Sequence, residues 1–193
     1  MTNSLRALSS LRSKYSYEPY DPVYPLLFDQ EQDELLKLDL KDPHIYHIGS
    51  TSIPGVGGKG VIDILITVDR SILAETSRQL TKAGYEFRES GGDVNRLFHQ
   101  KEKKGRRYHV HLSGYNEGSA VQAVAFRDYL RTDQLLATTY SNVKKEAAKQ
   151  ALKQNTKDDM KQVYAQIKAP VIHQILAKVK VWINDNIDRY SNI

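Results

Sequence analysis

The chain has 193 residues, 40% of them hydrophobic, enough for one sizeable core, with no apolar run near the ~20 residues a membrane span needs. It contains no cysteine, which excludes disulfides, thiolate metal sites and a cysteine nucleophile, and suits a reducing, cytoplasmic setting. A net charge of +5, from 28 Lys and Arg against 23 Asp and Glu, permits contact with nucleotides or nucleic acid without demanding it.

Residues 1–16 carry Ser and basic residues with little periodicity, so a flexible arm is expected there, and nothing in them reads as a secretion signal. A single domain is expected over 17–193, with an α/β core to residue 116 and a helical portion from 117. Three prolines make residues 17–25 extended, and Leu27, Phe28, Leu35 and Leu36 give residues 26–40 the period of an amphipathic helix. Residues 45–48 and 61–68 read as strands, 71–83 as a helix closed by Gly84, and 85–88 as a short strand. A turn over 89–93 precedes a strand at 95–100. A basic connection over 101–107 (Lys101, Lys103, Lys104, Arg106 and Arg107 around Gly105) then leads to a strand at 108–113. From Gly118 the period becomes helical, restarts at Thr132-Asp133 and runs to about Leu152. A last apolar stripe from Met160 to Ile183 is interrupted by Pro170, which predicts a kink or two consecutive helices. These elements predict a mixed sheet of four or five strands with flanking helices.

Residues 47–68 hold the chemistry. Gly49, Gly55, Gly57, Gly58 and Gly60 let backbone N–H groups approach an anion, while Ser50, Thr51 and Ser52 can cap a short helix. Lys59 adds charge, either to phosphate or to solvent. Asp63 lies inside an apolar run, where a bare carboxylate is costly to bury. A Walker-type phosphate loop is excluded, because Lys59 is followed by Gly60 and then by a β-branched strand where that motif needs Ser or Thr and a helix.

The run His47-Ile-Gly-Ser-Thr-Ser-Ile-Pro-Gly55, followed by Lys59 and Val61-Ile-Asp-Ile-Leu-Ile66, resembles the GrpB family, which is placed in the nucleotidyltransferase superfamily. Tyr20-Asp-Pro-Val-Tyr-Pro-Leu-Leu-Phe28, His109-Val-His111 and Phe126-Arg-Asp-Tyr-Leu-Arg131 extend the resemblance over about residues 17–183, and Tyr140, Lys144, Tyr164 and Lys168 sit where the family has such residues. The resemblance implies a nucleotidyltransferase-like α/β (α+β) fold. It also implies a nucleotide or phosphorylated small molecule as ligand, with nucleotidyl transfer as the reaction and a divalent metal, Mg²⁺ or a transition metal, as cofactor. Gly49, Ser50, Thr51, Lys59 and Arg127 would hold phosphate, and Asp63 would act as catalytic carboxylate. Family members joined to dephospho-CoA kinase point to a coenzyme-related partner.

The superfamily pattern wants a second acid at position 65, where this chain has Leu65. Asp69 shares Asp63's face of the strand but lies about 20 Å along it, at ~3.3 Å per residue. His109 and His111 leave one strand face together, so with Asp63, and with His47 as a third nitrogen, they could form a mononuclear metal site; hydrogen-bonded structural histidines are the alternative. Arg127 and Arg131 share a helical face that could turn toward Asp63 or a phosphate, or pair with Asp128. The rival functions are a non-catalytic binding or regulatory module that keeps the fold, and an RNA-binding adaptor using the basic connection.

Overall fold

In the computed structural model, which describes residues 15–89 and 95–193, the sheet is built around two strands that read differently along their length. Strand β2 (Ile62–Val68) is apolar at every position except Asp63 and Thr67, while β5 (Arg106–Gly114) alternates. A strand flanked on both sides, with helices over both faces, has no solvent face to reserve for polar residues. The two pair in parallel at the centre of a five-stranded sheet. Strand β1 (His44–Ile48) lies antiparallel at the outer edge of β2. Strands β4 (Arg96–Lys103) and β3 (Glu86–Phe87) continue beyond β5, giving the order β1-β2-β5-β4-β3. The mixed sheet with flanking helices is the expected one.

The alternation of side chains sorts the core into two layers. Ile62, Ile64, Ile66, Tyr108, Val110 and Leu112 face helices α1 (Tyr24–Leu36) and α2 (Leu73–Lys82), where Phe28, Leu35 and Leu80 are buried against them. Asp63, Leu65, His109 and His111 face the other way, toward helices α3 (Gly118–Thr132), α4 (Gln134–Ala151) and α5 (Lys157–Asp185). A short α6 (Ile187–Tyr190) returns to that layer. Asp133 caps α4 by accepting from the Leu136 N–H at 2.9 Å, and Thr156 caps α5 by accepting from Asp159 at 3.1 Å.

Several boundaries differ from the sequence reading. Helix α1 starts two residues early because Pro25 suits a first turn, and it stops at Leu36. The basic connection is mostly strand: β4 and β5 run on to Lys103 and Arg106, leaving Lys104 and Gly105, both with positive φ, as a two-residue hairpin turn. Helix α5 passes through Pro170 as one 29-residue element, so the expected division into two helices does not occur. Residues 1–14 of the expected arm, and most of the turn at 89–93, lie outside the described residues. Tyr15 itself is buried against Tyr164, with ring centroids 5.7 Å apart. Among the described residues no helix is long and apolar enough to cross a membrane.

Ile64 is fully buried at the sheet centre, whereas Leu135 is 80% exposed. Ile64→Ala should cost about 2 to 5 kcal/mol in urea denaturation, and Leu135→Ala less than about 0.5 kcal/mol.

Candidate functional site

Strand β1 ends in a turn that only glycine can make. Gly49 has φ +71° and ψ −173°, and a Cβ there would strike the Oδ2 of Asp63. The glycine therefore serves both the bend and the close approach of the carboxylate. The chain then makes one 3₁₀ turn, Ser50–Ser52. Two arginines of α3 hold its ends. Arg127 donates to the His47 carbonyl at 2.9 Å, and Arg131 donates twice to the Ser52 carbonyl, at 2.9 and 2.7 Å. Arg127 also pairs with buried Asp128, whose other oxygen takes Arg189 at 3.0 Å and the Tyr190 hydroxyl at 3.4 Å.

This corrects three expected roles. Arg127 is spent on backbone and on Asp128, and does not line the cleft of Asp63. Thr51 is 2% exposed and donates its hydroxyl proton to the Val61 carbonyl at 2.9 Å, so it is a strut of the turn. His47 stands opposite Ile64 in the β1–β2 register, on the far side of the sheet from Asp63, with its ring stacked on Phe28 at 4.7 Å. Its Nε2 lies 3.0 Å from the Thr51 hydroxyl oxygen, whose own proton is used elsewhere, so His47 is the donor through Nε2–H. Burial pushes its pKa down to about 4.

Asp63 does meet the paired imidazoles. The β2–β5 register sets it opposite His109, whose Nδ1 lies 3.2 Å from Oδ1. The Nε2 of His111 is 3.9 Å from the same oxygen. Burial alone would raise the pKa of Asp63, but its interactions with His109 and then His111 outweigh that and hold the carboxyl well below the usual range. Phe98 packs against both rings, 5.0 and 5.2 Å away. Leu65 is 1% exposed and belongs to the apolar core.

A divalent cation was expected here. With His47 across the sheet and Leu65 in the core, two imidazoles and one carboxylate remain, and that carboxylate is already engaged by His109. Among the described residues no three His, Cys, Asp or Glu side chains are grouped to hold a metal. Two imidazoles and a single carboxylate do not offer the set of oxygen ligands that Mg²⁺ takes.

What surrounds Asp63 instead is amine. A cavity of about 230 Å³ is lined by Gly49, Ser50, Lys59, Val61, Asp63, His109 and four residues that the family resemblance marked without a role: Tyr140, Lys144, Tyr164 and Lys168. Lys59 is neither solvated nor loose. Its ammonium sits 4.4 Å from the Tyr15 ring centroid and 4.3 Å from that of Tyr164, and Lys168 covers Tyr164 at 4.4 Å. Lys144 is 5% exposed. Burial, reinforced by repulsion from Lys168, lowers Lys59 to about 8 and Lys144 to about 7. Burial lowers Lys168 too, and Asp63 partly offsets all three shifts. The missed signal was positional. Lys144 falls in the series Ala137, Ser141, Lys144, Ala148, Ala151, which is the buried face of α4.

Part of the charge of the basic hairpin is neutralised by Glu31 and Glu18. Lys103 donates to Glu31 at 2.8 Å, Lys101 lies 3.8 Å from it, and Arg106 pairs with Glu18 at 3.1 Å. A larger cavity of about 560 Å³ between α1 and this hairpin lies away from Asp63.

The fold and cleft define an α/β domain with a carboxylate–imidazole pair facing a ring of lysines. The model of GrpB protein matches residues 15–178, and the chain belongs to the GrpB family. It is 35% identical over 134 residues to UPF0157 protein YqkA of Bacillus subtilis, a match covering 68% of this chain but only 39% of YqkA. It is 31% identical over 163 residues to UPF0157 protein BH1888 of Halalkalibacterium halodurans, covering 82% of this chain and 79% of BH1888. The crystal structure of conserved protein GrpB from Enterococcus faecalis aligns with a TM-score of 0.67 and 26% identity over 82% of this chain and 98% of that one. A Cid1 poly(U) polymerase chain is similar at a TM-score of 0.46 and 12% identity, over 77% of this chain and 48% of that one.

Gly49→Ala should lose about 1 to 3 kcal/mol, from the left-handed φ and the displaced carboxylate, read as a lowered urea midpoint. The His47 pKa is about 4 when folded against 6.5 when free, so between those values the unfolded chain holds a proton that the folded chain lacks. Stability should therefore fall as pH drops from 6.5 toward 4.5, with a slope approaching one proton. His47→Gln, which keeps an N–H for Thr51, should flatten that limb of the urea-midpoint profile.

Proposed function

We propose that the cleft binds the phosphate groups of a nucleotide or other phosphorylated small molecule. The observation that carries this reading is that Lys59, Lys144 and Lys168 line one cavity with a single carboxylate, Asp63. Three ammonium groups against Asp63 leave two surplus positive charges when all are protonated. That surplus is costly to bury without a partner anion. The depressed lysine pKa values express the same cost. A di- or polyphosphate relieves it, and the Gly49-Ser50 bend at the cavity wall gives it room to approach.

Nucleotidyl transfer is the reaction implied by the family's superfamily placement. Leu65 in the core supports a second reading, a module that binds such a ligand without metal-dependent transfer. The pairing of Lys103 with Glu31 and of Arg106 with Glu18 reduces the charge the hairpin offers to an RNA adaptor role.

Pyrophosphate tests the binding. Lys144→Met should weaken it by roughly 10- to 100-fold, the worth of one charged hydrogen bond. The same variant should raise the urea midpoint, because it removes a buried amine. Binding restores the proton that burial drives off Lys144 and Lys59. Calorimetry in two buffers of different ionisation enthalpy should thus show proton uptake near pH 7.5, and affinity should fall from pH 7 to 9. No binding by wild type, or an unchanged affinity in Lys144→Met, would sink the reading.

A further inference from the structure

A second cavity of about 560 Å³ adjoins the lysine cavity, and the two share Lys59, Val61 and His109. The second is walled by polar groups of β4 and β5, among them Gln100, Glu102 and Arg107. His109 thus stands at the partition. Resting on the phosphate reading, we propose that Asp63 and His109 form a proton-accepting dyad, so that a hydroxyl compound in the second cavity attacks the phosphorus of an anion held by the lysines.

The geometry assigns the parts. An ionised carboxylate only accepts, so at the 3.2 Å contact with Oδ1 the proton belongs to His109 Nδ1. That leaves the lone pair on Nε2, at the opposite edge of the ring. Phe98 stands edge-on at 5.0 Å and 80°, holding the ring against rotation. In the step, the hydroxyl oxygen forms a bond to phosphorus as its proton passes to His109 Nε2. The bond from phosphorus to the leaving oxygen, of phosphate, pyrophosphate or a phenolate, breaks, and that oxygen keeps the electron pair. Asp63 stabilises the imidazolium, and the lysines take up charge on the leaving group. Water is the smallest acceptor that fits, and a polyol suits the polar walls.

Long-range proton–nitrogen NMR on the full chain reads the tautomer directly. Nδ1–H with a bare Nε2 on His109 is expected, and Nε2–H overturns the dyad whether or not any variant folds. Turnover is then followed with ATP and with p-nitrophenyl phosphate, in water and with added glycerol. His109→Gln should lower kcat by about 100-fold, within the range of general-base catalysis. Absence of turnover of both compounds by wild type, or an unchanged kcat in His109→Gln, overturns the proposal. Pyrophosphate binding by the wild type alongside either result confines the failure to the dyad. Absence of pyrophosphate binding by the wild type marks failure of the phosphate reading.

Discussion

The contact between the Asp63 carboxylate and the bare Cα of Gly49 sets the rest of this structure. It brings a charge from the middle of the sheet to the mouth of the β1 turn. The carboxylate is then within reach of two imidazoles on β5 and of amines on α4 and α5. Any side chain at position 49 would push the acid away and separate the groups that keep it ionised. The helical layer is adapted to the same point. Lysines and tyrosines from α4 and α5 occupy positions that elsewhere on those helices hold alanine, valine or isoleucine. Charge is thus accumulated where an ordinary core would exclude it, a pattern associated with binding and catalysis more often than with stability.

The fold was legible because its signals were local and strong. The β-branched run of β2, the alternation of β5 and the Asp133 cap each specify an element from neighbouring residues. What misled was chemistry settled by distant partners. The basic run at the hairpin read as a connection because its charges suit solvent. In the fold, Glu31 and Glu18 neutralise part of that charge and the ladder continues almost to the tip. Pro170 is a helix breaker by local rule, yet α5 carries it without interruption.

The site was half legible. Gly49, Ser50, Lys59, Asp63, His109 and His111 come together. His47 does not, and the reason lies in the register. Its strand runs antiparallel to β2 with Ile48 opposite Asp63, so the residue one step earlier faces the other layer. Arg127 and Thr51 are polar groups with backbone partners, which residue type alone does not show. Lys144 and Lys168 were matched to the family without a role, since a lysine in a helix normally marks the wet side; for Lys144 the period of the surrounding alanines marks the inward one.

The bridge from α3 to the 3₁₀ turn has a consequence for how the molecule assembles. Arg127 grips both the His47 carbonyl and Asp128, and Asp128 in turn is fastened to Arg189 and Tyr190 near the other end of the chain. Joining segments so far apart carries a loop-closure cost that neighbouring contacts do not. The cleft is complete only with the C-terminal helices in place, because Lys144 and Lys168 stand on α4 and α5.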